Sequence, residues 1–357
     1  MNRIAVFIPG IRGGGAERFA CLLAGGLAKL GHDVSLVTGP PEEGEYEVEG
    51  PVRRVVLLNE SFRASPGGLI RWSRALMERC VQEGVDVCIA VGISPNIVSC
   101  MIAGKIRTKF VICERNAPKQ DAISIKSRIA RFLLYRKADA FVFQTTGAQS
   151  FYSKSIQARS MVIPNPVIPG LPEWAPKGRN EIAAVGRLMP QKNYPLMLRS
   201  FALVHEAHPD WSLRIFGEGL FHDDYQRLAE SLGISDAVVF EGFRSDVHER
   251  IAECDIFLMT SDFEGMPNSL LEAMAIGMPC ISTDCPAGGP AMLIEDGVNG
   301  LLCQVGEEDS IANAVSAVAD SKSLRTKLAK NALESRDLYS LDRIMMRWNS
   351  LIASLTY

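Results

Sequence analysis

Two carboxylates, Glu264 and Glu272, bracket the turn Gly265-Met-Pro-Asn-Ser269. Eight continuous helical steps would set them ~12 Å apart. That is wider than the ~5–9.5 Å of a carboxylate pair acting on a glycosidic bond. Gly265 and Pro267 instead leave Glu264 in a loop, and a helix starts at Pro267-Asn-Ser269. Its unpaired first-turn N–H groups suit an anion, with one acid near each end of an extended ligand. Glu272 also has a plainer reading. Ser269-Leu-Leu-Glu272 matches a capping box, in which the carboxylate bonds a backbone N–H. Glu264, between Phe263 and Gly265, has no such alternative.

Cations and glycines occur in three further segments. Val185-Gly-Arg-Leu-Met-Pro-Gln-Lys-Asn193 offers Gly186 for close approach, then Arg187 as a planar fork and Lys192 as a mobile point charge. That combination suits a diphosphate, although both could also be solvated surface charges. Gly10-Ile-Arg-Gly-Gly-Gly-Ala-Glu-Arg18 follows the first apolar run, so Gly14 and Gly15 would sit where a strand turns into a helix. Such turns cradle phosphate, though this one lacks both the G-x-G-x-x-G spacing and the Lys-Ser/Thr of a P-loop. Phe216-Gly-Glu-Gly219 places Glu218 between two glycines, where it could bond a hydroxyl or shape the site. No Asp-x-Asp and no Cys/His spacing of a metal site occurs, so neither a metal nor another cofactor is expected.

These segments need elements to hold them. Apolar runs rich in Val and Ile recur at Ile4–Phe7, Val34–Val37, Val52–Leu58, Val85–Val91, Phe110–Cys113, Ala140–Phe143 and Met161–Ile163. A second series runs through Ile182–Val185, Leu213–Phe216, Val238–Phe240, Ile256–Met259, Cys280–Ser282 and Gly300–Cys303. Helix-period segments separate them. Unbroken apolar strands alternating with helices predict two parallel sheets covered on both faces, an α/β chain of two doubly wound, Rossmann-like domains. The proline-rich stretch Ile163–Gly178 reads as an extended connector. We expect domains at 1–166 and 167–340. The final segment, 341–357, is an amphipathic helix whose stripe from Leu341 to Leu355 needs a surface, with the N-terminal domain as candidate. The acidic stretch Glu42–Glu49 reads as a solvated loop.

With 357 residues, 47% hydrophobic and 22% charged, the chain has a globular composition. A net charge of −3 argues against a general nucleic-acid binder. No apolar run is long enough to span a bilayer and no secretory signal is evident. Nine cysteines without C-x-x-C read as reduced thiols in a cytoplasmic protein. The charge is uneven. Residues 1–170 hold 22 Lys+Arg against 14 Asp+Glu, and residues 171–357 hold 16 against 27. Two halves of opposite sign suggest different partners.

Taken in order, these motifs resemble glycosyltransferase family 4, retaining enzymes of the GT-B fold, whose two domains face a central cleft. The resemblance rests on Gly13-Gly-Gly-Ala-Glu17, Gly186-Arg-Leu188 with Lys192-Asn193, Gly217-Glu-Gly219, Glu241-Gly-Phe243, Glu264 to Glu272, and Asn299-Gly-Leu-Leu302. It implies that Glu264 contacts donor-sugar hydroxyls near the reacting carbon, and that Arg187 and Lys192 neutralise the leaving diphosphate. Asn268, Ser269 and Leu270 would offer backbone N–H groups to it. Glu272 would hold the ribose, Phe243 would frame the base, and the glycine loop would face the diphosphate from the other domain.

The family often carries a histidine late in the first domain; here that strand end reads Cys113-Glu-Arg-Asn-Ala-Pro118, so either Arg115 or Asn116 takes the sugar- or acceptor-proximal place or the role is absent. Within the family, Ala16-Glu-Arg18 and Asp284-Cys-Pro-Ala-Gly-Gly-Pro290 look most like bacterial enzymes of surface-polysaccharide and lipid-linked oligosaccharide synthesis. These imply a UDP-sugar donor, a hexose or N-acetylhexosamine, and a polyprenyl-diphosphate-linked acceptor at the inner face of the cytoplasmic membrane. The segment Lys119–Ala138 fits an anionic membrane surface. Ile125, Ile129, Phe132 and Leu133 form its stripe, flanked by Lys126, Arg128, Arg131, Arg136 and Lys137. An ordinary domain helix with charged flanks fits it too. The alternatives to transfer are a nucleotide-binding regulatory or inactive homologue, which the Glu264, Lys192 and Arg187 set disfavours, and a dinucleotide dehydrogenase, which the missing G-x-G-x-x-G disfavours.

Overall fold

The computed structural model describes residues 1–63, 65–119 and 125–356. The chain divides into two compact units, Met1–Pro166 with Leu341–Tyr357, and Val167–Ser340. Each apolar run forms a strand. In the first unit these are β1 (Arg3–Phe7), β2 (Asp33–Thr38), β3 (Val52–Val56), β4 (Val87–Val91), β5 (Lys109–Cys113), β6 (Ala140–Phe143) and β7 (Ser160–Val162). They pair in the order β3-β2-β1-β4-β5-β6-β7. The second unit holds β8 (Glu181–Val185), β9 (Ser212–Phe216), β10 (Val238–Gly242), β11 (Ile256–Met259), β12 (Cys280–Thr283) and β13 (Leu301–Cys303), in the order β10-β9-β8-β11-β12-β13. Every pairing of these strands is parallel. Both sheets therefore reverse their order beside the first strand, the doubly wound arrangement in which ligands bind at carboxyl ends of strands.

Burial explains the composition of the strands. All five residues of β4 and all four of β6 and β11 are buried, as expected where helices cover both faces. The C-terminal helix, Leu341–Thr356, belongs to the first unit. Its Ile344, Met345, Trp348, Leu351 and Ile352 join the core built on Phe19, Leu23 and Leu27 of the helix Gly15–Lys29. Trp348 is wholly buried and tilts against Phe19 at 6.0 Å between centroids. Each such large apolar side chain contributes about 1.5–3 kcal/mol on burial. A Cβ on Gly26 would run into Met345, so the glycine lets the two helices approach.

Two expectations need adjustment. The proline-rich stretch is extended, but from Val167 onward it is fastened to the second unit. Val167 N donates to Tyr339 O at 2.8 Å, Trp174 N to Ile276 O at 2.9 Å, and Trp174 Nε1 to Cys254 O at 2.8 Å. The acidic stretch 42–49 is a loop without being freely solvated. Arg54 grips both carboxylate oxygens of Glu45, one at 2.9 Å, and holds its carboxyl below the usual range. All nine cysteines are buried and free. No helix among the described residues is long and apolar enough to cross a membrane.

Candidate functional site

Because the strands of the second unit run parallel, the loops after β8, β9, β10, β11 and β12 emerge on one edge of its sheet. Backbone bonds tie them together. Gly186 N donates to Phe216 O at 3.0 Å, Gly217 N to Gly242 O at 2.9 Å, and Leu188 N to Glu218 O at 2.8 Å. A Cβ on Gly217 would collide with the Gly186 carbonyl, and one on Gly219 with the Leu188 carbonyl. These two glycines are therefore set by the close approach of the loops.

The turn Pro190–Lys192 ends at Asn193, in the left-handed region at φ 47°, which caps the helix Tyr194–Ala207 by accepting from Leu196 N at 3.1 Å. Three bonds pin this turn to the loop after β11. Asn193 Nδ2 donates to Asp262 Oδ1 at 2.7 Å, Gln191 Nε2 to Phe263 O at 2.9 Å, and Asp262 N to Gln191 O at 2.9 Å. Lys192 Nζ is thereby delivered to Glu264, donating to Oε1 at 2.6 Å. Ser261 Oγ donates to the same oxygen at 2.8 Å. Glu264 is 7% exposed, so its charge is held by protein groups rather than by water. Its backbone is locked as well, with Glu264 N donating to Pro286 O at 2.7 Å and Ala287 N to Glu264 O at 2.9 Å. Cys285 nearby is no nucleophile: burial, with Glu264 adding, pushes its thiol up to about 12.

The helix Asn268–Ile276 begins after Pro267 with no side-chain cap, and its first backbone bond runs from Leu271 N to Pro267 O at 3.1 Å. The capping-box reading of Glu272 fails here. The N-cap is Pro267 rather than Ser269, and Glu272 is the fifth helical residue, not the third that a capping box requires. Glu272 is instead buried, 6% exposed, with its Oε2 2.9 Å from His248 Nε2. His248 lies on the short helix Val247–Ala252, and neither periodicity nor motif marked it. Arg187 is exposed at the end of β8. Glu218 is exposed and accepts from Phe243 N at 3.4 Å, while the Phe243 ring is 73% exposed. Thus Arg187, Lys192, Glu264, Glu272 and the first turn Asn268-Ser269-Leu270 share one sheet edge, with Gly186, Glu218 and Phe243 on its adjoining loops. Two cations, an uncapped helix and two buried carboxylates can hold a diphosphate and the hydroxyls either side of it.

In the first unit, Gly13 (φ 66°) and Gly14 lead into the uncapped helix Gly15–Lys29, and a Cβ on Gly14 would overlap the Glu17 carboxylate. Arg115, just past β5, lies 3.5 Å over the Phe19 ring of that helix and bonds Asn165 Oδ1. Its Nε and Nη1 are shut off from water without a hydrogen-bond partner, and burial lowers its pKa to about 10. It therefore remains a cation at neutral pH. Asn116 is half-buried beside it.

The helix Ile125–Leu134 keeps part of the expected stripe at the surface. Ile129, Phe132 and Leu133 are 54%, 66% and 60% exposed. Arg131 does not belong to its cationic fringe. It is 6% exposed, donates to Pro118 O at 3.0 Å and faces buried Glu114 at 3.9 Å, because its side chain points into the unit. The side chains of Ile125 and Lys126 lie outside the described residues. Phe132 and Leu133, with Phe151 and Ile156, line a groove of about 550 Å³.

Residues 172–335 match the family described as Glycosyl transferases group 1, and residues 14–166 match the Glycosyl transferase 4-like domain. The chain is a glycosyltransferase, its second unit of the group 1 type and its first of the 4-like type. This glycosyltransferase is 24% identical over 357 residues to an uncharacterized glycosyltransferase of Haemophilus influenzae, covering 99% of this chain and 100% of that one. It is 28% identical to the N-acetylgalactosamine-N,N'-diacetylbacillosaminyl-diphospho-undecaprenol 4-alpha-N-acetylgalactosaminyltransferase of Campylobacter jejuni, over 94% of this chain and 95% of that relative. Its fold is shared with Anabaena HepE, solved in complex with UDP, at a TM-score of 0.83 and 20% identity, covering 99% of this chain and 100% of that one. The expected pair of Rossmann-like domains of the GT-B type is therefore the observed one.

Proposed function

We propose that the enzyme is a retaining transferase that moves a hexose or N-acetylhexosamine from a UDP-sugar to a saccharide carried on polyprenyl diphosphate, in the building of a bacterial surface glycan. The observation that carries this reading is the part-buried Lys192–Glu264 pair at the sheet edge shared with the uncapped helix Asn268–Ile276. An ammonium has three N–H donors. One holds Glu264, and the others serve the departing diphosphate together with Arg187 and the N–H groups of Asn268, Ser269 and Leu270. As the sugar–oxygen bond breaks, negative charge grows on the phosphate and positive charge on the sugar carbon. Fixed charges already in place stabilise both without reorganising. Both Lys192 and Ser261 occupy Oε1 of Glu264, leaving Oε2 to the donor sugar. Glu272 holds the ribose and Phe243 flanks the base, with Gly186 and Glu218 shaping the loops around the nucleotide. We assign the acceptor to the first unit, with Arg115 and Asn116 as candidate contacts.

The UDP bound to HepE and the lipid-linked acceptor in the name of the Campylobacter relative support this choice of substrates. So does the surface of the Ile125–Leu134 helix. Exposed Phe132 and Leu133, ringed by Arg128, Arg136 and Lys137, suit an anionic bilayer at its cytoplasmic face. Screening UDP-, GDP- and ADP-sugars by thermal shift should select a UDP-sugar. Transfer to an undecaprenyl-diphosphate-linked saccharide should then give a product that retains the donor's anomeric configuration by NMR. Nucleotide binding with neither transfer nor donor hydrolysis refutes the reading in favour of a non-catalytic homologue. Phe132→Ser with Leu133→Ser should weaken sedimentation with anionic vesicles; no sedimentation of the wild-type protein at low salt would exclude the membrane part.

A further inference from the structure

Glu272 carries a carboxylate at 6% exposure, and a buried carboxylate is stable only where donors meet it. His248 supplies one, with Nε2 at 2.9 Å from Oε2. Against an ionised carboxylate, which can only accept, Nε2 is the donor. The position of His248 matters as much as the bond. It stands in the first turn of the Val247–Ala252 helix, five residues after Phe243, on the segment that leaves β10. The bond therefore fastens the base-flanking loop to the carboxylate that our reading gives to the ribose. The backbone alone does not fix Glu272. It sits in the second turn of its helix, and its side chain has several rotamers from which to choose.

We infer that His248 is a positioning residue for the nucleotide: it orients Glu272 toward the ribose hydroxyls and couples that grip to the loop carrying Phe243. The inference rests on the assignment of Glu272 to the ribose, and predicts a signature that general loosening of the fold does not produce. Loss of His248 should matter for a nucleotide with ribose hydroxyls and not for one without them.

The experiment compares UDP and 2′,3′-dideoxy-UDP by calorimetry on the full chain, in wild type, Glu272→Gln, His248→Ala and His248→Gln, with melting temperatures recorded alongside. Wild type should prefer UDP, and Glu272→Gln should lose the preference. His248→Ala should weaken UDP by about tenfold, the scale of one well-made hydrogen bond, and leave dideoxy-UDP unchanged. His248→Gln, whose amide N–H can still donate to the carboxylate, should recover most of the difference. If His248→Ala weakens both nucleotides alike, or neither, while Glu272→Gln abolishes the preference, the inference is overturned and the ribose assignment stands. If wild type binds both probes equally, the assignment of Glu272 fails and the inference with it.

Discussion

Replacing Glu264 with glutamine removes a charge and keeps the shape. The amide oxygen can still accept from Lys192 Nζ and Ser261 Oγ, which now reach Oε1 at 2.6 and 2.8 Å. What is lost in the folded protein is the charge assistance in those bonds, about half their strength. Lys192 retains its charge but is 17% exposed and can turn partly toward water. The net cost to stability is then about 1 kcal/mol, or about 2–4 °C in melting temperature for a unit of this size. The transition state loses more. On the role proposed for Glu264, a fixed negative charge beside the electron-poor sugar carbon is gone, in a site that water cannot screen well. Removing one preorganised electrostatic group of this kind costs about 100- to 1,000-fold in turnover. We therefore expect Glu264→Gln to melt within a few degrees of wild type and to turn over at least 100-fold more slowly at saturating donor. The assay is initial-rate transfer, with calorimetric donor affinity measured on the same preparation. A folded variant that retains a third or more of wild-type turnover would refute the role given to Glu264.

Gly219→Ala should disrupt nucleotide binding and cost about 2 kcal/mol, because its Cβ meets the Leu188 carbonyl, a backbone atom that cannot step aside; unchanged UDP affinity would show that the loops have room to separate. Arg131→Met should leave Glu114, which is 2% exposed and whose Oε1 accepts from Tyr135 and Asn96, without its facing charge, and destabilise the first unit by about 3 kcal/mol. Adding Glu114→Gln should recover part of the loss, and a melting temperature equal to wild type would mean that the pair contributes no net stability. Arg54, by hydrogen bonding, holds the Glu45 carboxyl below its ordinary value, so its contribution is complete above the ordinary carboxylate range and is lost as pH falls through the lowered value. Glu45→Gln should therefore be less stable than wild type at neutral pH and approach it in acid; a gap that stays constant between neutral pH and pH about 3 would exclude this linkage.

Much of the architecture is legible locally. A strand buried on both faces must be apolar along its whole length, so β4, β6, β11 and β12 declare themselves whatever their neighbours are, whereas β3, with Arg53, Arg54 and one buried residue, does so less. Glycines at strand ends, the break at Gly265 and Pro267 and the stripe from Leu341 to Leu355 are equally local, because backbone freedom and helical period are properties of short segments. The same holds for the order of the motifs along the chain. Partners are another matter. Lys192 reaches Glu264 across 72 positions and His248 reaches Glu272 across 24. Ser269-x-x-Glu272 carries the letters of a capping box, yet the helix starts two residues earlier than such a box requires, with its N-cap at Pro267, where the loop after β11 delivers it. Arg131 carries the letters of a membrane-facing cation, yet buried Glu114 and the Pro118 carbonyl turn it inward. Side-chain pairing is an energy between groups brought together by the whole fold, and residue type tells only what a group could bind. The tertiary structure decides which partner stands within 3 Å, and so which acid is held for chemistry and which charge is absorbed into the core.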